Sequence, residues 1–207
     1  MKNQFWKHRK IFMRYSKKHK KLFIHIPRCA GRSIVVAMKR HYGRKNVPLV
    51  PKAWTHSRLK DVRKNIDLSK YEKIAVVRNP WERMVSLYCF LKQKKAWWDT
   101  RKGKIIKIDK LPEFSDWLIN YGKRSHNLRT TDIPQFDWIS LDGKLAADHI
   151  IRYENLLNDV EKVFGFKDLP MTHKTEKGEW KLLYNDDSFE YVKRVFKKDV
   201  EEFKYDF

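Results

Sequence analysis

The chain is poor in the residues that staple or loosen a fold. It has two cysteines, Cys29 and Cys89, in 207 residues. That excludes a disulfide scaffold, and without a Cys/His cluster it excludes a structural zinc site. Seven glycines and seven prolines exclude collagen-like and low-complexity classes. No apolar run approaches the ~20 residues of a membrane-spanning helix. The N-terminus has no apolar core of the signal-peptide kind, so a cytoplasmic protein is expected. Acid is scarce as well. There are 25 Asp and Glu against 47 Lys and Arg, a formal net charge of +22. Residues 1–21 carry nine Lys/Arg and no acid, and residues 92–110 carry eight Lys/Arg against Asp99 and Asp109. Such a surplus favours anionic partners: nucleic acid, acidic polysaccharide, anionic membrane or phosphorylated small molecules. It is equally the signature of a solvated basic surface.

What is present is enough for a core. The hydrophobic share is 42% and the aromatic share 14%, well above a disordered polybasic tail. There is no internal repeat and no Gly/Ser linker, so one domain over 1–207 is expected, with 1–21 as a basic extension. Phe5, Trp6, Ile11, Phe12 and Tyr15 interleave with its charges and suit an amphipathic helix. Leu22–Ile26 and Ile74–Val77 are uninterrupted apolar runs of the kind found in central parallel strands. Asp148–Arg152 reads as a third strand. Helical spacing marks 31–42, 57–66, 80–94, 112–121, 155–164 and 186–203. Asn79 and Pro80 read as the cap and first residue of the 80–94 helix. Strands alternating with helices give an α/β fold with a central, mainly parallel sheet flanked by helices.

Two segments carry chemistry. The first, Pro27-Arg-Cys-Ala-Gly-Arg-Ser-Ile34, runs from strand through a tight loop into a helix. A helix start aims unpaired N–H groups and the positive dipole end at such a loop, and Arg28, Arg32 and Ser33 add donors. The result is an anion cradle, or else a strand-loop-helix turn that is merely basic. It is not a Walker A loop: the first glycine is missing, and Arg32 stands in the lysine position. The second segment puts Arg78 at the carboxyl end of a strand, where open α/β sheets bind ligands. Arg83 and Ser86, three residues apart on the next helix, share a face. Arg78 and Ser86 could grip one phosphate; alternatively, Arg83 makes a surface ion pair and Ser86 is a small packing residue. A ligand with two anionic ends would be held at both segments.

These residues resemble the sulfotransferases that use 3′-phosphoadenosine 5′-phosphosulfate (PAPS), and within them the carbohydrate branch that includes heparan sulfate 2-O-sulfotransferases. The family loop I-P-K-[TC]-[AG]-G-T-S is matched by Ile26, Pro27, Arg28, Cys29, Ala30, Gly31, Arg32 and Ser33, with Arg28 and Arg32 in place of Lys and Thr. Its 3′-phosphate motif R-[ND]-P-x-x-R-x-x-S-x-Y is matched by Arg78, Asn79, Pro80, Arg83, Ser86 and Tyr88. Softer likenesses are Pro134-Gln135, the run 148–156 and the ending Asp199 to Asp206. The likeness extends from about residue 22 to the C-terminus.

The resemblance implies a P-loop-like three-layer fold and in-line sulfuryl transfer from PAPS to a hydroxyl on a carbohydrate; the basic surface suits an acidic glycan and many other anions alike. Residues 27–34 would hold the 5′-phosphosulfate, with Arg28 on the leaving group. Arg78 and Ser86 would hold the 3′-phosphate. His56 is the expected base, with His25 and His126 as weaker candidates. Lys174, Thr175 and Lys177 lie in a late segment that resembles a loop closing over the nucleotide; a plain charged loop reads the same way. Trp97 and Trp98 amid cations suit a sugar face or the packing of a helix end. No metal and no specific nucleic acid is expected. Relatives often carry an N-terminal membrane anchor; its absence points to a bacterial or viral cytoplasmic enzyme. A P-loop nucleotide kinase and a non-catalytic polyanion-binding module are the competing readings.

Overall fold

The structure is a computed structural model that describes residues 13–53, 57–94, 96–99, 104–107, 111–121, 133–170 and 179–207. In chain order the elements are β1 (Arg14–Ser16), β2 (Lys21–Ile24), α1 (Gly31–His41), α2 (Leu59–Val62), β3 (Glu72–Val77), α3 (Pro80–Lys94), β4 (Ala96–Asp99), β5 (Lys104–Lys107), α4 (Phe114–Asp116), α5 (Gln135–Ile139), β6 (Ser140–Leu141), β7 (Lys144–Leu145), β8 (His149–Arg152), α6 (Leu156–Phe164), α7 (Asp186–Val195) and α8 (Lys197–Phe203). The chain falls into two compact units. One is drawn from residues 1–26, 30–77 and 138–172, the other from 27–29, 78–137 and 173–207.

The first unit holds the sheet, in the order β1-β2-β3-β8. β2, β3 and β8 are parallel, with Leu22 opposite Lys73 and Ile74 opposite His149, and β1 is an antiparallel edge on β2. The aliphatic runs sit where continuous hydrophobicity demands, since Leu22, Ile24, Ile74, Ala75, Val77 and Ile151 are fully buried. α1 buries Ile34, Val35, Ala37 and Met38, and α6 buries Val160 and Phe164, whose ring meets Phe23 edge-on at 6.4 Å. The protein is thus a mixed α/β molecule whose mostly parallel sheet is flanked by helices.

Two expectations change in this unit. Tyr15 was to lie on an N-terminal helix; it lies in β1, buried, with its ring edge-on to Tyr71 at 5.4 Å. The turn Lys17–Lys20, with Lys20 at φ 52°, folds the chain back onto β2. Residues 1–12 lie outside the described residues. The 57–66 helix shrinks to α2, which buries only Leu59 and Val62.

The second unit is built on α3. Trp81, Met84, Val85, Tyr88 and Leu91 form an apolar cluster with Phe114, Trp117, Tyr191, Val192 and Phe196. The C-terminal Phe207 ring packs edge-on against Trp81, Trp180, Tyr184 and Phe189. Truncating a fully buried tryptophan such as Trp117 costs about 3–5 kcal/mol, so this aromatic mass fixes α3 firmly. The expected 112–121 helix is present as α4 continued by a wider turn over Trp117–Tyr121. The closing helix breaks in two at Phe196, whose φ of −106° and ψ of 27° interrupt the helical run between α7 and α8.

Candidate active site

β3 ends at Val77, and α3 starts three residues later under a local cap. Asn79 Oδ1 accepts the N–H groups of Trp81 at 3.0 Å and Glu82 at 3.3 Å, with Pro80 in the first helical position. The four-residue period then lines Glu82, Ser86 and Phe90 along one face of α3. Two arginines meet this stripe. Arg78 donates from Nε and Nη2 to the two Glu82 oxygens at 3.2 and 2.9 Å, a two-point pair. Arg28 donates from Nη2 and Nε to Ser86 Oγ at 2.9 and 3.3 Å, with its guanidinium over the Phe90 ring at 4.6 Å.

The loop that brings Arg28 there is held by its carbonyls. Arg83 Nε donates to the Pro27 carbonyl at 3.1 Å, and Arg78 Nη1 donates to the Arg28 carbonyl at 3.1 Å. Both arginines are buried, Arg83 completely. In a trans peptide the N–H of the next residue points opposite to the C=O, and the described chain has no cis bond. The arginines therefore turn the N–H groups of Arg28 and Cys29 to the opposite side. Arg28 at φ 68° and Ala30 at φ 55° are left-handed without being glycine, a conformation costing roughly 1–2 kcal/mol per residue and found where a concave row of amides is needed.

In the first unit α1 then begins at Gly31. Its cap position, Ala30, supplies no side-chain bond, and its first turn holds no acid to offset the positive end of the helix. Gly31 is required by space: a Cβ there would run into the His25 ring.

The charges in the second unit are set before any ligand arrives. Arg28, Arg78 and Arg83 face Glu82 and Asp199, leaving a positive excess. Asp199 is fully buried, and burial pushes its carboxyl up. The Arg83 charge and the N–H groups of Gln135 and Phe136, at 2.7 and 2.8 Å, oppose that shift. Fixed charge of this kind stabilises the fold weakly at best. Donors fixed in this way can meet an anion without further reorganisation.

A profile of the sulfotransferase family matches residues 12–206. The chain belongs to the sulfotransferase family. No curated protein and no solved structure matches it. As a sulfotransferase it is an enzyme that moves a sulfuryl group to an acceptor bearing a hydroxyl, and the family in general takes that group from PAPS. Among the described residues no helix is long and apolar enough to cross a membrane.

Of the expected site residues, this sulfotransferase groups Pro27, Arg28, Cys29, Arg78, Arg83 and Ser86 in its second unit. Ser86 takes its hydrogen bonds from Arg28, while Arg78 turns to Glu82 and the loop carbonyl. Arg83 is no surface ion pair: it is buried beneath the loop. Ala30 to Ile34 form the start of α1, with Ser33 and Ile34 buried and Arg32 exposed. His25 is buried against Gly31. Trp97 and Trp98 lie in β4, which pairs with β5 in an antiparallel hairpin. His56, His126, Lys174, Thr175 and Lys177 lie outside the described residues.

Sequence reasoning misses Glu82 and Phe90, and reaches Gln135 and Asp199 only through the softer likenesses at 134–135 and 199–206. The spacing of four between Arg78 and Glu82 was a usable signal. Gln135 and Asp199 come together across 64 residues of sequence, for which no local pattern exists.

Proposed function

We propose that the enzyme transfers a sulfuryl group from PAPS to a carbohydrate hydroxyl, within one sulfotransferase domain over 1–207. One observation carries this reading: the buried Arg83 and Arg78 hold the Pro27 and Arg28 carbonyls and turn the loop amides to the other side. The residues fit an adenosine nucleotide with phosphate groups at both ends. In this reading Pro27, Arg28, Cys29, Ala30, Gly31, Arg32, Ser33 and Ile34 take the 5′ end. Arg78 and Ser86 suit the 3′-phosphate. In this reading Lys174 and Lys177 add positive charge, and Thr175 a hydroxyl, to the binding of the nucleotide.

PAPS supplies the sulfuryl group. The chain supplies the rest. Arg28 holds positive charge, and the loop amides hold N–H donors, where negative charge gathers on the leaving side. Arginine in this place stays charged at any working pH and donates through a planar fork. In this reading His56 is the base that accepts the proton of the attacking hydroxyl. The +22 net charge and the cations of 92–110 favour an acceptor that is already acidic.

The test separates binding from chemistry. His56→Ala should cut turnover by about 10²–10⁴-fold, the usual worth of a positioned base, while affinity for 3′,5′-adenosine bisphosphate stays within twofold. Undiminished turnover would remove His56 from the mechanism. Turnover that consumes ATP and magnesium in place of PAPS would replace the reading by a nucleotide kinase.

A further inference from the structure

We propose that Gln135, seated on the buried Asp199 carboxylate, is a positioning residue that fixes Arg78 for the 3′-phosphate. The inference rests on Arg78 being a ligand of that phosphate.

Gln135 is fully buried. A primary amide there must satisfy its acceptor and donors inside the protein, because a buried polar group left unpaired is costly. Its bonds go to the loop and to the residue after β3. Oε1 accepts the Arg78 backbone N–H at 2.8 Å and the Cys29 thiol at 3.2 Å. Nε2 donates to the Arg78 carbonyl at 2.7 Å and to Asp199 Oδ2 at 3.2 Å. The amide thus binds both polar groups of the Arg78 main chain, as the next strand of a sheet would. Arg78 is the first residue past the end of β3. Its guanidinium sits at the end of a long side chain, so a small turn of this backbone swings the charged fork away from Glu82 and the Arg28 carbonyl.

Asp199 anchors the clamp. Oδ2 accepts the Gln135 backbone N–H at 2.7 Å, and Oδ1 accepts that of Phe136 at 2.8 Å. These bonds fix the start of α5, and with it the base of the Gln135 side chain. A polar pair that merely filled the core would bond within itself and could be exchanged for apolar groups of the same shape at little cost. Here the outer bonds of the pair end on Arg78 and Cys29, on either side of the Arg28 contact.

The experiment measures calorimetric affinities of 3′,5′-adenosine bisphosphate and 5′-AMP for the full-length wild type, Gln135→Met and Asp199→Asn. Thermal unfolding checks that each variant is folded. Methionine keeps the length and volume of glutamine and removes the four amide bonds. The ratio of the two affinities is the readout, because a purely structural role would lower the melting temperature and leave the ratio unchanged. The expected result is a bisphosphate preference reduced about tenfold in Gln135→Met, equivalent to one lost charge-assisted contact of ~1.4 kcal/mol. A several-fold reduction is expected in Asp199→Asn, with 5′-AMP affinity within twofold in both. An unchanged ratio in a folded Gln135→Met overturns the proposal. So does failure of both variants to fold, which would assign the pair to the fold alone. A wild type without any bisphosphate preference would instead overturn the phosphate role of Arg78 itself.

Discussion

Ser86 and Arg78 occupy neighbouring places but have different obligations, and single substitutions separate them. Ser86 accepts from Arg28 on the Glu82–Ser86–Phe90 face of α3. Ser86→Ala should therefore leave the fold nearly untouched, within about 1 kcal/mol, and lower the bisphosphate affinity about tenfold with little effect on 5′-AMP. Equal losses for both nucleotides would remove Ser86 from the 3′-phosphate. Arg78→Ala removes the proposed phosphate contact, and it also takes this partner from the half-buried Glu82 and the Arg28 carbonyl. It should destabilise the protein by about 1–3 kcal/mol, seen as a lower urea midpoint at unchanged slope. At this scale the sequence was legible for Arg28, Arg78 and Ser86, because their spacing against a strand end and a helix start is local. The Arg28–Ser86 bond spans 58 residues, and the burial of Arg83 depends on a loop 56 residues away. No periodicity records such pairings.

The strand, loop and helix from Lys21 to His41 form the element on which the account leans most. Gly31 belongs to it by exclusion of a side chain, since the His25 ring fills the space of a Cβ. Gly31→Ala should destabilise the protein by several kcal/mol, in the range of overpacked sites, and His25→Ala in the same chain should recover part of the loss. A double-mutant cycle with no coupling would place the cause elsewhere. Asn79→Ala should cost about 1 kcal/mol for the lost α3 cap, together with the bond from Nδ2 to the Asp206 carbonyl at 2.7 Å. Elements with strong local signals were legible: the two aliphatic strands, the Asn79-Pro80 helix start and α6 appear where spacing put them. The break at Phe196 was not, because the apolar period continues through it into α8. The N-terminal strand was hidden for a related reason. Tyr15 fits a helical face and a strand face alike, and pairing with β2 decides between them.

For the molecule as a whole, charge sets the response to salt and pH. With +22 charges, binding of any sulfated polymer will weaken steeply as salt rises, by counterion release. That slope says nothing about the nucleotide site. Stability should have an acid edge. The Lys21 ammonium, with help from His149, holds the Glu72 carboxyl below its ordinary 4.5. Burial pushes the Asp148 carboxyl up, but bonds from the Lys73 ammonium and N–H outweigh it and leave it below 3.8. Groups depressed in the folded state stabilise fully above these ordinary values, and their contribution is lost as pH falls through and below them.

An alkaline edge has the opposite sign. Burial, and then the Glu72 charge, pushes the Tyr42 phenol up from 10.0 to about 12. The folded state keeps that proton longer, so stability is lost as pH rises from about 10 to about 12. Urea unfolding across pH should show both edges, and Tyr42→Phe should flatten the alkaline one. An alkaline edge of unchanged depth in that variant would contradict the assignment.

The central claim is that the loop and Arg78–Ser86 together form a site for a doubly phosphorylated nucleotide. The most direct measurement is calorimetric binding of 3′,5′-adenosine bisphosphate, 5′-AMP and ATP to the full-length enzyme at near-physiological salt. The account predicts a strong preference for the bisphosphate over both others. Weak binding of all three to a similar degree would contradict it.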